Sequence, residues 1–215
     1  MFLTRFPINR ARRGAQKLLG SPRAMHAAVL SGFPPASGPS DGRVLWRVDR
    51  DGPATLLYIL SPDRPDLTHL VEQAGWPVSD VEPWETRSYD GLLDRIHEGQ
   101  RWAFRLRGNP VKAAKDIGKR VAHVTVEQQI NWLLARSENH GFVVPVGETG
   151  PAVTVTERGV VSFGRNGSRV TLSTAQFDGV LDVKDVAALR LALVAGIGRA
   201  KGYGCGLLTI VRPST

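Results

Sequence analysis

Three stretches of this 215-residue chain hold the side chains best suited to chemistry: Met25-His26, Phe104-Arg105-Leu106-Arg107-Gly108-Asn109-Pro110-Val111-Lys112, and the glycine-rich run Gly196 to Leu208. Histidine titrates near neutrality and can take or give a proton there. Arg23 precedes His26 by one helical turn, on the same side. Its guanidinium is no acid or base at pH 7, yet it can grip a phosphate with two parallel hydrogen bonds. The glycine run packs five glycines into residues 196–206, with Arg199 and Lys201 among them. So bare a backbone lets a polyphosphate chain lie against its N–H groups. It is not a dinucleotide fingerprint, which follows a strand and opens a helix; these glycines follow a predicted helix and precede a strand. No Walker A sequence is present either. Asp49-Arg50-Asp51 is nominally a D-x-D pair, but Asp51-Gly52 reads as a turn. No zinc spacing or H-E-x-x-H motif appears, which agrees with acid–base chemistry, and no metal or cofactor is expected. A lone helix histidine is more often packed than catalytic, so residue type alone leaves His26 undecided. His69, His97, His123 and His140 read as structural.

Charge points to the partner. The chain carries 28 Lys+Arg against 20 Asp+Glu, a net +8 and a pI near 10.2, which favours a polyanion. Residues 1–40 hold six basic groups and no acid, and residues 99–124 hold seven basic groups against Asp116 alone. A single cysteine, Cys205, excludes a disulfide framework and any multi-cysteine zinc site, and suits a reducing, cytoplasmic setting. No apolar run approaches the ~18 residues of a membrane span, and no apolar h-region follows the basic N-terminus.

Those side chains need elements to hold them. Residues 2–9 read as a strand with a basic tail. Ser21-Pro22 caps a helix whose apolar stripe is Met25, Ala28, Val29 and Leu30. Gly32–Gly42 is a loop by composition. Val44, Trp46 and Val48 alternate, Asp51-Gly52 turns, and Thr55–Leu60 is a strand. A helix from Asp66 to Gln73 and an extended segment over Val81–Tyr89 complete β-α-β-β-α-β. The order then recurs. Gln100–Arg107 is a strand burying Trp102, Phe104 and Leu106, and Thr125 with Gln128 forms a capping box. The helix it opens shows the stripe Val126, Ile130, Leu133 and Leu134. Phe142–Val146 and Ala152–Thr156 are strands. Val160–Phe163 and Val170–Leu172 flank a hairpin tip at Arg165-Asn166-Gly167. Phe177–Val183, a helix over Lys184–Ala195 and Leu207–Val211 close the unit. The fold class is α+β: tandem ferredoxin-like domains over residues 1–92 and 98–215, the second with an extra hairpin.

The Arg-Leu-Arg-Gly-Asn-Pro-Val-Lys segment, the Gly-Ile-Gly-Arg-Ala-Lys-Gly-Tyr-Gly-Cys-Gly-Leu-Leu segment and the helix histidine together resemble the CasE family, the CRISPR repeat-RNA endoribonucleases of the type I-E Cascade system. The likeness spans Phe2 to Pro213. It implies cleavage of precursor CRISPR RNA at a repeat hairpin by 2′-OH attack, without metal, the product staying bound beside other Cascade subunits. It raises His26 to the leading catalytic residue, with Arg23 and Lys201 as electrostatic stabilisers. Arg105, Arg107, Asn109, Lys112, Arg165, Arg169, Gly198, Arg199, Gly202 and Tyr203 become RNA contacts. The chain is expected to be a monomer outside the complex. Two positions depart from the family pattern: Gly108 where Ala is usual, which reads as harmless, and Arg23 where Tyr is frequent. The alternative is a non-catalytic RNA-binding or structural subunit. Lys201-Gly202-Tyr203-Gly204 mimics the start of an RNP1 motif, but Cys205-Gly206-Leu207-Leu208 breaks the match.

Overall fold

The computed structural model describes residues 1–34, 43–76, 82–114, 119–165 and 168–213; the expected tip residues Asn166-Gly167, most of the 32–42 loop, Val81 and Lys115 lie outside them. The chain divides into two units, Met1–Asp94 with Lys201–Gly204, and Arg95–Ala200 with Cys205–Thr215.

The first unit contains β1 (Phe2–Pro7), α1 (Arg13–Gly20), α2 (Pro22–Leu30), β2 (Leu45–Asp51), β3 (Ala54–Ser61), α3 (Thr68–Ala74), β4 (Glu85–Ser88) and the single turn α4 (Asp90–Leu93). Its antiparallel sheet runs β2-β3-β1-β4, the ferredoxin-like order. Phe6, Met25, Val29, Trp46, Leu57 and Leu70 anchor the core between sheet and helices. Helix α1 was not foreseen: its basic residues suggested a tail, but Ala15 and Leu18 put an apolar face on the core. Both faces of β2 are covered, against the expected alternation. Arg47 and Asp49 lie under the sheet as a bidentate pair at 2.6 and 2.9 Å. Asp49 thus serves an ion pair, while Asp51-Gly52 makes the turn with Gly52 at φ +53°.

The second unit contains β5 (Arg101–Gly108), the hairpin β6 (Val111–Ala114) and β7 (Lys119–Ala122), α5 (Val126–Ser137), the short strands β8 (Phe142–Val143), β9 (Val146–Gly147) and β10 (Gly150–Pro151), then β11 (Val153–Arg165), β12 (Ser168–Val183), α6 (Val186–Ala195) and β13 (Leu208–Val211). The sheet order β11-β12-β5-β13 repeats the ferredoxin-like pattern. Here the expected extra hairpin takes another form. The four predicted pieces fuse into β11 and β12, paired from Val153↔Gly179 to Arg165↔Ser168, so the hairpin is the distal end of the long edge strand β11 and its neighbour β12. The separate hairpin is β6–β7.

Thr125 and Gln128 make the expected capping box on α5. The buried face of that helix is rotated from the expected stripe, with Gln129, Trp132 and Leu133 inside and Val126 44% exposed. Trp132 decides the rotation, because its large ring stacks on Phe177 at 5.9 Å. Cys205 is fully buried, which pushes its thiol up to about 12.

Candidate functional site

His26 projects from α2, the helix that Ser21 caps through a 3.2 Å hydrogen bond from the Ala24 N–H to its Oγ. Trp46 on β2 reaches the ring: its indole Nε1–H donates to His26 Nδ1 at 3.3 Å. The other edge of the imidazole faces the 3₁₀ turn Lys201–Tyr203, which belongs to the same unit. A Cβ added at Gly202 would sit 3.2 Å from His26 Nε2, so a glycine keeps that edge open. Gly204, at φ +79°, lies flat on the Trp46 ring, where a Cβ would come within 2.7 Å. The glycines of this turn therefore make room for one histidine and one tryptophan. The sequence signal had been read as room for a phosphate chain.

The Trp46 bond fixes protonation. With Nδ1 accepting, the neutral imidazole carries its hydrogen on Nε2, the edge toward Gly202. Burial, and then the Arg43 guanidinium, lower the His26 pKa, so the resting ring is neutral at pH 7. Lys201 is shifted down for the same two reasons in the same order. Cationic side chains thus surround a desolvated imidazole. Arg23 is exposed one turn before His26 on α2, and Tyr203 is half-buried on the turn. Sequence reasoning missed Trp46 and Arg43; Trp46 read as strand core, and nothing in its spacing announces a histidine 20 positions earlier.

The predicted RNA contacts of the second unit separate into two groups. On β5 the arginines are engaged across the sheet: Arg105 with Asp178 at 2.5 and 3.2 Å, and Arg107 with Glu157 at 3.5 Å. Thr156 also donates to Asp178 at 2.5 Å, and Arg105 heads the hydrogen-bonding and charge effects that hold this carboxyl low against its desolvation. Asn109, Lys112, Gly198 and Arg199 instead line one cavity of about 660 Å³. Arg165 and Arg169 end β11 and begin β12 near the turn, and their side chains lie outside the description. His69 is structural: its Nε2–H donates to the Ala28 carbonyl at 2.8 Å. His140 likewise meets the Arg136 carbonyl at 2.7 Å. His123 lines the cavity.

Comparison with known proteins bears on the whole chain. The model of a family described as CRISPR associated protein matches residues 1–212. The CRISPR-associated endoribonuclease Cse3 of Thermus thermophilus is 30% identical over 220 residues, covering 98% of this chain and 99% of that protein. The CRISPR system Cascade subunit CasE of Escherichia coli is 29% identical over 167 residues, covering 72% of this chain and 80% of that one. A solved structure of Thermus thermophilus Cse3 bound to an RNA representing a pre-cleavage complex superposes with a TM-score of 0.82 at 31% identity, covering 98% of each chain. No helix among the described residues is long and apolar enough to cross a membrane. Fold, motifs and relatives agree along nearly the full length, and the chain belongs to the CRISPR associated protein family.

Proposed function

We propose that this protein is an endoribonuclease that binds the repeat hairpin of precursor CRISPR RNA and cuts it without a metal ion. The observation that carries the reading is His26, held through Nδ1 by Trp46 with Nε2 toward a glycine turn, on a chain that matches an endoribonuclease over 98% of its length. In the step we assign, the 2′-OH gives its proton to solvent water as O2′ bonds to the adjacent phosphorus, and the P–O5′ bond breaks as O5′ takes a proton from His26. The products are a 2′,3′-cyclic phosphate and a 5′-hydroxyl.

The tautomer sorts the roles. A neutral ring with hydrogen on Nε2 cannot accept a proton at Nε2, so His26 is not the base that takes the 2′ proton through that edge. It serves as the acid. An arriving phosphate favours the imidazolium, the Trp46 N–H then releases Nδ1, and Nε2–H protonates the departing O5′. Arg23 and Lys201 hold the charge that grows on the non-bridging oxygens. Arg43 and Lys201 beside the imidazole would repel a divalent cation, which favours proton transfer over metal activation. The product is retained in a Cascade-type assembly, as the CasE relative's name suggests, and the protein acts in the cytoplasm, a monomer until it joins that assembly.

The deciding experiment is single-turnover cleavage of a labelled repeat hairpin in excess EDTA, with and without a 2′-deoxy sugar upstream of the scissile phosphate. The ribose substrate should be cut and the deoxy substrate should not. Cleavage of the deoxy substrate would mean that water attacks, and loss of all cutting in EDTA would mean that a metal does the work.

A further inference from the structure

The cavity of the second unit lies between one face of α5, the β6–β7 hairpin with Asn109 before it, and the Gly198–Arg199 step, and it is built rather than incidental. Its aromatic wall is locked. Trp132 stacks on Phe177 at an interplanar angle of 15°. A Cβ at either Gly108 or Gly198 would come within 3.0 Å of the same indole. An alanine at Gly108 would require the Trp132 ring to give by a few tenths of an ångström. Arg136 lies 4.4 Å above that ring and donates to the Trp132 carbonyl at 2.9 Å.

The lining is positive and underpaired. Lys112, Arg120, Arg136 and Arg199 line the cavity, and no carboxylate among the described residues does. Asn109 is 8% exposed, yet its Oδ1 has no hydrogen-bond partner, and neither do the buried Trp132 Nε1 and His123 Nδ1. Native structures rarely leave such groups unpaired, and three in one wall suit a polar guest. Burial, then Lys112 and Arg136, lower the His123 pKa, so its ring is a neutral hydrogen-bonding group. The guest must bring negative charge for the cations, a planar face for Arg136, and a donor–acceptor edge for Asn109 and His123. A nucleotide has all three. RNA-binding proteins read unpaired bases in this way, on their edges and against guanidinium planes. The volume suits one small ligand and excludes a duplex.

We propose that this cavity receives one unpaired nucleotide flanking the RNA hairpin, its base among Asn109, His123 and Arg136 and its phosphates on Lys112, Arg120 and Arg199. The proposal rests on the repeat-RNA reading above. It adds a second point of recognition outside the stem, built from residues of the second unit alone.

The test is equilibrium binding of three RNAs at fixed salt: the repeat hairpin alone, and the hairpin with five unpaired nucleotides on its 5′ or its 3′ side. One extension should tighten binding at least tenfold, and a single abasic position within it should cancel the gain. Asn131→Trp, on the exposed face of α5 beside the cavity, fills the space without entering the core. It should lose the gain while hairpin-only binding and cleavage stay within twofold of the parent. Tight hairpin binding with no gain from either extension, or a gain that survives Asn131→Trp, overturns this proposal alone. A hairpin that does not bind at all overturns the repeat-RNA reading and this proposal with it. Adenosine or guanosine monophosphate that saturates the cavity without displacing the extended RNA would make it a free-nucleotide site and overturn the proposal too.

Discussion

The two units share one strand order and use positive charge in opposite ways. In the first, Arg43 stands near a half-buried imidazole and lowers its proton affinity, so charge tunes a titratable group. In the second, the arginines of β5 meet Asp182, Asp178 and Glu157 across the sheet, so much of the densest basic stretch is neutralised within the fold. The charge left to meet RNA there sits on Lys112, Arg120, Arg136 and Arg199 around the α5 cavity. Basic residues counted along a chain therefore overstate what a polyanion meets. Position decides it: strand arginines facing carboxylates knit the sheet, and cations gathered around a pocket without carboxylates can bind.

This contrast can be broken from either side. Changes in the first unit should act on rate, and changes in the second on binding. The largest effect is expected from His26→Ala, which should lower single-turnover cleavage by roughly 10²–10⁴-fold, the usual worth of a positioned acid–base group, with RNA affinity nearly unchanged. Activity within threefold of the parent would remove His26 from the chemistry. Arg23→Ala should cost at least tenfold in rate, and Arg23→Lys should recover part of it, because the charge and not a proton is what Arg23 supplies. Equal rates for Arg23→Ala and the parent would leave the residue a member of the basic arm only.

Gly202→Val places branched carbons against His26 Nε2 and should slow cleavage about tenfold while the fold survives, since the turn is half-exposed. A normal rate would show that Nε2 is not the working edge. Trp46→Phe should cost less in rate, about threefold, and show itself in pH dependence. Without the indole N–H that stabilises the neutral ring at Nδ1, protonation is easier and the His26 pKa should rise, with burial and Arg43 still acting against it. An acid must be protonated, so the fall in rate with rising pH should move to higher pH. Imidazole titration by NMR should move the same way. A shift downward, or none, would cut the link between Trp46 and the tautomer.

The smallest effects separate the two kinds of arginine. Arg199→Gln should reduce the slope of log K against log[salt] by about 0.7–0.9, the share of one phosphate contact. Arg105→Gln, which removes the partner of Asp178, should leave that slope unchanged and destabilise the fold instead. The reverse result would mean that the β5 arginines, and not the cavity, meet the RNA.

Local signals were legible and tertiary ones were not. Ser21-Pro22, the Thr125–Gln128 box and the alternation of Trp102, Phe104 and Leu106 each act within a few residues, and each forms as read. Helix α1 was hidden because Arg10, Arg12, Arg13 and Lys17 crowd around its two buried residues, Ala15 and Leu18. The stripe of α5 was misplaced because Trp132 had been given no weight, and Trp132 turns inward only when Phe177 arrives from a strand 45 positions later. The site is similar. The motif residues His26, Lys201 and Gly202 could be found in the sequence, while Trp46, which sets the tautomer, depends on a sheet that the sequence does not spell out.

One feature of the first unit sets a schedule for synthesis. Lys201 follows His26 by 175 residues, yet the turn it begins belongs to the unit built from the first 94. At ribosomal speeds of about 5–20 residues per second, that turn is made roughly 10–35 s after the helix it must meet. Through that interval the nascent chain has the histidine without the Lys201–Gly204 turn that abuts it. A chain cut short between His26 and Lys201 would hold the imidazole and lack that turn.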